Sequence, residues 1–264
     1  MIAAPPILAQ LLRERRRPLA TWALALAGVC GMYTSLYPYM AGANLDAMLE
    51  ALPKGLVEAL GYDQIGTAAG YVGSATYGLV ALALLLVFAI GRGAAILAGH
   101  EESGALELEL TSPASRAAIY DQRLAALWLE VVLLVAAVYA VTLAFDLGQE
   151  LGISIADLSI ATLQLALVIG LFGSLALVAG AATGRKGIAL GVAAAVAVVS
   201  WMFNAIGPTL DLEWMARISP IGWYMADNPV TRGFHPVDAL LLVSASALLI
   251  ALGRRRFLRR DLMT

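Results

Sequence analysis

Six apolar runs of about twenty residues each constrain this chain more than any other feature of its sequence. They lie at about 18–38, 74–97, 124–145, 158–181, 188–206 and 237–252. A helix of about 20 residues crosses the roughly 30 Å hydrocarbon layer of a bilayer. Only 14% of the residues are charged, whereas soluble domains carry about 25%. The sequence therefore predicts an all-α membrane protein, with six transmembrane helices in a single domain over residues 1–264.

The distribution of basic residues predicts which side of the membrane each loop occupies. Six spans place both termini on one side, together with the loops that follow spans two and four. All lysines and arginines belong to that side except Lys54, Arg217 and Arg232. Basic residues mark the cytosolic side because they translocate poorly. We therefore expect cytosolic termini and a multi-pass protein of the inner or plasma membrane.

Four segments outside the spans have distinct patterns. Residues 5–17 combine an apolar face with a run of arginines, which predicts an amphipathic helix at the inner interface; a solvated basic tail is the alternative. Residues 40–73 and 207–237 are predicted outer loops, and the first has amphipathic spacing that would suit a lid. Residues 99–122 are predicted to be a cytosolic coupling segment between spans two and three.

The sequence contains no motif of a catalytic or nucleotide-binding site. A Gly-x-x-x-x-Gly-Lys phosphate loop and a His-Glu-x-x-His run are both missing. The two histidines, His100 and His235, are far apart in sequence, and Cys30 is the single cysteine. We therefore predict no catalytic residue, no metal site, no cofactor bound by this chain and no nucleic-acid partner.

The predicted spans are almost free of charge, and Glu130 is the one serious candidate for ion coupling. Charge at membrane depth is costly and is retained mainly for function. The reading we favour is a carboxylate near the inner interface that pairs with Arg123 or faces water. Arg92 is expected to extend to the inner surface. The energy for any transport is therefore expected to come from outside the chain.

Residues 100–116 form an acidic stretch between two apolar runs. Glu101, Glu102, Glu107 and Glu109 would favour the positive end of a helix, and Ser112-Pro113 would stop that helix. Leucines 106, 108 and 110 interrupt the polar face. The pattern predicts a short amphipathic helix that docks on a partner, with an ordinary solvated loop as the open alternative.

The same stretch resembles the Glu-x-x-Gly-Thr-Leu-Glu-x-Leu-Leu-x-x-Pro-x-Ser-Arg motif of ABC-2 type permeases, the membrane subunits of ATP-binding-cassette exporters. The match rests on Glu102, Gly104, Leu106, Glu107, Pro113, Ser115 and Arg116. Ala105 stands where the motif has threonine. Residues 218–224, followed by Asn228-Pro229, resemble the segment of this family that precedes the last span.

The resemblance implies a complex of two permease chains and two separate ATPase subunits, which would carry the ATP and magnesium. It allows a homodimer or a heterodimer of permeases, and we favour the homodimer. Export would use a cavity between the two chains in membrane lipid. The residues implied in coupling to the ATPase are Glu101, Glu102, Gly104, Leu106, Glu107, Leu110, Pro113 and Arg116.

Candidate residues of the transport path are fewer. Glu130 is one, and Trp201, Phe203 and Asn204 form a mixed polar and aromatic end of span five, which also has the composition of an interfacial belt. Apolar walls predict a hydrophobic or amphipathic cargo, such as a drug, an antibiotic or a lipid. The alternatives are a non-transporting scaffold or immunity-type protein and an ion-coupled carrier.

Overall fold

The computed structural model describes residues 7–41, 64–104, 115–207, 210, 212–225 and 227–260. Six helical stretches in these ranges are long and apolar enough to cross a membrane, and the described residues include no strand. The predicted all-α fold with six spans is therefore confirmed. The spans are α1 (Ile7–Ser35), extended by α2 (Tyr37–Ala41), then α3 (Ala68–Glu102), α4 (Arg116–Gln149), α5 (Ile155–Thr183), α6 (Lys186–Ile206) and α9 (Pro236–Arg259).

Two short helices, α7 (Glu213–Ile218) and α8 (Pro220–Met225), precede α9. They lie in the stretch that the sequence predicts to be the second outer loop. Most of the first predicted outer loop, and the centre of the predicted coupling segment, lie outside the described residues.

Helix α1 joins the predicted interfacial segment to the first span. It runs from Ile7 to Ser35 with Pro18 inside it. Leu11 is buried and packs with Ile96 and Phe257, so tertiary contacts hold the early part of α1 against the bundle. Residues 7–17 therefore continue directly into the span as one helix. Their position at the membrane surface stays a prediction.

Helix α3 departs from regular α-helical geometry at two places. Residues Val72–Ala81 and Ala95–Gly99 are π-helical, and the α-helical segment Leu82–Ala94 separates them. The π-helix is rare, and it occurs mostly as short insertions that are frequent at functional sites. A run of ten π-helical residues is therefore an unusual feature of this span.

Helix α5 is the centre of the bundle and packs against α3, α4, α6 and α9. Gly173 and Gly180 lie against Ala89 and Ala98 of α3, and the indole N–H of Trp128 donates to the Ser174 hydroxyl at 3.1 Å. Small residues at these positions allow the helices to approach closely.

The two ends of the described chain lie at the same end of the bundle, because Leu11 and Phe257 belong to one apolar cluster with Ile119. We call this the basic end, since it carries the arginine runs 13–17 and 254–260. The opposite end, which carries α7, α8 and the start of α3, is the far end. The assignment of the basic end to the cytosol stays a prediction.

Candidate coupling site and transport groove

The last turn of α3 carries Glu101 and Glu102 at the basic end. The helix ends at Glu102. Gly104 follows with a φ of +75°, a conformation that favours glycine, and its N–H donates to the Glu101 carbonyl at 3.1 Å. Both glutamates therefore lie at the negative end of a helix dipole, where a carboxylate is disfavoured. The prediction that they begin a helix is wrong, because they end one.

Each of the two glutamates has a compensating partner from another helix. The Glu101 carboxylate is ion-paired with Arg260, directly after α9, and both side chains are largely buried. The Glu102 carboxylate accepts the backbone N–H of Lys186, the first residue of α6, at 2.8 Å. A helix N-terminus favours a negative group. These contacts join the end of α3 to the beginning of α6 and the end of α9.

Helix α4 enters the same region from the other side of the predicted coupling segment. Ser115 caps α4, since its hydroxyl accepts the Ala118 N–H at 3.2 Å. The Arg116 guanidinium donates to the Arg260 carbonyl at 3.0 Å. We refer to Glu101, Glu102, Arg116, Lys186 and Arg260 together as the coupling cluster.

The predicted coupling residues divide into two groups. Glu101, Glu102, Gly104 and Arg116 are described. Glu101 and Arg116 both contact Arg260, whereas Glu102 contacts Lys186. The remaining ones, Leu106, Glu107, Leu110 and Pro113, lie outside the described residues. Sequence reasoning did not single out Arg260 or Lys186, although both lie in basic stretches beside the ends of spans.

Glu130 and Arg92 form a buried ion pair between α4 and α3. The Arg92 Nε and Nη2 atoms donate to the two oxygens of Glu130 at 2.7 and 2.8 Å. The expected partner Arg123 instead donates to the carbonyl of Ile96. The predicted pairing of Glu130 with Arg123 and the predicted extension of Arg92 to the surface are therefore both wrong. The planar guanidinium matches a carboxylate at two points, and this match holds Arg92 inside the bundle.

An open groove of about 670 Å³ lies between α3 and α6. We call it the α3–α6 groove. Its wall on α3 consists of Gly78, Leu79, Leu82, Ala83, Leu86, Val87, Ile90 and Gly91, and its wall on α6 of Leu190, Ala194, Ala197, Val198 and Trp201, with Ile221 of α8. Every described residue that lines the groove is glycine or apolar. A polar solute would lose its hydrogen bonds with water on entering such a groove.

Of the four predicted path residues, the structure places Trp201 in the wall of the groove. Phe203 packs edge-on against Trp214 of α7, with 6.2 Å between ring centroids. Asn204 is buried at the end of α6, and Glu130 is bound to Arg92. The last three do not line the α3–α6 groove.

No group of three or more metal-ligating side chains occurs within the part of the chain that the structure describes. A protein-family model with the description "ABC-2 family transporter protein" matches residues 6–262. The matched range contains all six long helices, the coupling cluster and the α3–α6 groove. No curated protein matches the chain.

Proposed function

The chain belongs to the ABC-2 family of transporter proteins, and we propose that it is the permease subunit of an exporter whose ATP is hydrolysed by separate subunits. It would move a hydrophobic or amphipathic compound, drug-like or lipid-like, out of the cell. The choice of cargo rests on the apolar walls of the α3–α6 groove. The coupling cluster supports the choice of energy source.

The size and walls of the groove fit this cargo class. Its volume of about 670 Å³ lies within the roughly 300–1,000 Å³ of small-molecule sites. Its residues offer apolar contact along both helices, and Trp201 adds an aromatic ring at one end. An ion or a sugar would find no group on these walls to replace its water of hydration.

We further propose that a second copy of the chain covers the open side of the groove. The open side of the groove is poorly covered within one chain, because Leu190 and Val198 of α6 and Val87 of α3 line it and are exposed. Two copies related by a two-fold axis would bring the same surface together from both chains. The two facing grooves would then enclose a path with no charged wall residue.

The coupling cluster offers a mechanical link from the ATPase to both walls of the groove. In this proposal the ATPase docks on the segment that follows Glu102. Movement of that segment pulls on the end of α3 directly. It also reaches α6 through the hydrogen bond from Lys186 to Glu102 and reaches α9 through Arg260 and Glu101. Helices α3 and α6 are the two helices that line the groove, so the same movement would alter its width.

The Arg92–Glu130 pair supports this energy source over ion coupling. A carrier needs a carboxylate that gains and loses a proton or a cation during each cycle. The two oxygens of Glu130 are instead engaged by one guanidinium. The scaffold alternative has no specific structural feature in its favour.

Purification of the full chain from its native membrane tests this proposal. An ATPase that contains a phosphate loop is expected to copurify, and Hoechst 33342 is expected to stimulate its ATP hydrolysis. The reversals Glu102→Lys and Glu107→Lys should reduce both the recovery of the ATPase and the stimulation. Glu150→Lys is the matched control, because Glu150 is an exposed glutamate at the far end. A chain that copurifies with no ATPase would support the scaffold alternative instead.

A further inference from the structure

The far end of the α3–α6 groove is bounded by α8 and by the long π-helical segment of α3. Gly78 and Leu79 of this segment line the groove, and Ile221 of α8 lines it as well. The π-helical residues 72–78 are all buried. The chain that follows α8 turns back and packs against them through Asn228.

The Asn228 side chain is buried, and both its amide nitrogen and its amide oxygen are hydrogen-bonded. Its Nδ2 donates to the Gly70 carbonyl and to the Ser74 hydroxyl, both at 2.9 Å. Its Oδ1 accepts the Val230 N–H at 3.1 Å. Asn228 itself has a φ of +75°, a conformation in which asparagine is several-fold enriched among non-glycine residues. The amide thus holds the loop after α8 to the start of the π-helical segment.

Gly73 makes room for this amide. A β-carbon at position 73 would lie 1.8 Å from Oδ1 of Asn228 and 2.7 Å from its Cγ, which is far inside van der Waals contact. Any side chain at Gly73 would therefore expel Asn228 from the helix surface. The sequence Gly-Tyr-Val-Gly-Ser at 70–74 provides the carbonyl, the space and the hydroxyl that the amide uses.

Helix α8 is attached to both walls of the groove. On the α3 side, the Tyr224 hydroxyl donates to the Tyr77 carbonyl at 3.3 Å. Burial raises the pKa of the Tyr224 phenol well above its ordinary value, so the hydroxyl keeps its proton. On the α6 side, the Ile221 N–H donates to the Ser200 hydroxyl at 3.0 Å, and the Ser219 hydroxyl donates to the Ser200 carbonyl at 2.7 Å.

We propose that Asn228 is a latch that holds residues 219–225 and 227–230 across the far end of the α3–α6 groove, where they act as its gate. This proposal rests on the proposed transport function, because it assigns the gate to the exit of cargo. Opening requires the Asn228 amide to leave Gly73. Without the amide, the segment Val72–Ala81 is free to return to α-helical bonding, which would turn Gly78 and Leu79 relative to the rest of α3. A packed element with two such arrangements is the kind that switches between discrete states.

Cysteine labelling in right-side-out membrane vesicles tests the latch. The parent is Cys30→Ala, which removes the single cysteine, with Ala83→Cys as an exposed reporter in the groove. A membrane-impermeant maleimide should label this parent slowly without ATP, and faster with ATP and vanadate inside the vesicles. Asn228→Ala and the milder Ser74→Ala should label fast without ATP. Because each lost hydrogen bond is worth about 1 kcal/mol, the expected increase is about fivefold per bond.

Thr231→Ala is the matched control, since the Thr231 hydroxyl donates to the nearby Asp227 carbonyl in the same loop. It should keep the slow labelling and its dependence on ATP. The latch is overturned if Asn228→Ala and Ser74→Ala both label like the parent while the parent responds to ATP. A parent that shows no response to ATP would overturn the transport proposal and the gate together.

A disulfide gives a second test, because it locks the gate covalently instead of releasing it. The distance from a Gly73 β-carbon to Cγ of Asn228 is 2.7 Å, so the β-carbons of a Gly73→Cys, Asn228→Cys pair would be about 4 Å apart, as a disulfide requires. Oxidation with copper phenanthroline should stop ATP-dependent movement of Hoechst 33342, and dithiothreitol should restore it. Full transport by the completely oxidised protein would contradict the gate.

Discussion

The Arg92 guanidinium holds the Glu130 carboxylate at 2.7 and 2.8 Å inside the helical bundle, with side-chain exposures of 5% and 0%. Removing two charges from water is costly, and only close, well-directed contacts offset that cost. The two-point geometry supplies such contacts. The pair fixes α3, which lines the groove, against α4, which begins at the coupling cluster.

Substitution of one partner of this pair should be more harmful than substitution of both. Glu130→Ala leaves Arg92 buried without a counter-charge, and we expect a loss of about 3–5 kcal/mol of stability. The double variant Arg92→Leu, Glu130→Leu should lose much less. Thermal unfolding in nanodiscs, followed by tryptophan fluorescence, compares the variants.

The exposed pair formed by Asp121 and Arg254 is the control, with side-chain exposures of 49% and 41%. Asp121→Asn should leave the unfolding temperature close to that of the unsubstituted protein, because exposed ion pairs add little to stability. A contrary outcome would be a Glu130→Gln protein with unchanged unfolding temperature and no transport, because that result would assign Glu130 to ion coupling.

The ion pair of Glu101 with Arg260 should matter for energy coupling. Glu101→Arg places two cations together at the end of α3, and we expect about a tenfold loss of Hoechst-stimulated ATP hydrolysis, equivalent to about 1.4 kcal/mol. The exchange Glu101→Arg, Arg260→Glu restores an attractive pair and should recover most of the stimulation. Recovery in the double variant would show direct interaction of the two residues. Additive losses would contradict the assigned role of the pair.

The proposed dimer predicts a specific cross-link. Val87 lines the α3–α6 groove and is 64% exposed in the single chain, whereas Val132 of α4 is 48% exposed and does not line the groove. In the Cys30→Ala background, Val87→Cys should form a covalent dimer with a short bis-maleimide. Val132→Cys should remain monomeric on a denaturing gel. The reverse pattern would place the interface on α4.

Trp201 should contribute to the binding of cargo. Trp201→Ala removes the aromatic ring from the groove, and we expect the concentration of Hoechst 33342 that half-saturates ATP hydrolysis to rise about three- to tenfold, since aromatic contacts add about 0.5–1.5 kcal/mol. Met202→Ala is the control, because Met202 is similarly exposed on α6 but lies outside the groove. Equal effects of the two substitutions would indicate a general disturbance of α6.

The number and order of the spans could be predicted because bilayer thickness sets their length, whatever their packing. The ends of the coupling segment could not. Acidic residues beside an apolar run favour a helix start by local rules, yet Glu101 and Glu102 end a helix. Their partners Arg260 and Lys186 lie 159 and 84 positions along the chain, beyond the reach of any local pattern.

The groove and the latch also depend on contacts between residues that are far apart in sequence. The mixed polar and aromatic composition at the end of span five predicts Trp201 as a path residue. The face of α6 that meets α3, however, depends on the packing of the whole bundle. The sequence at 70–74 does not indicate whether the backbone is α-helical or π-helical. The Asn228 amide that bonds to its backbone lies 158 positions beyond Gly70.

ATP-driven uptake of Hoechst 33342 into proteoliposomes is the most direct measurement of the proposed function. The vesicles would contain the full chain with the ATPase that copurifies with it, and the inside-out complexes would use external ATP. We predict uptake that requires ATP, persists when ion gradients are collapsed and is lost in Glu102→Lys. A complex that hydrolyses ATP without moving Hoechst 33342 or the lipid analogue NBD-phosphatidylethanolamine would contradict the proposed cargo class. Uptake driven by a proton gradient in the absence of ATP would contradict the ATP-dependent mechanism.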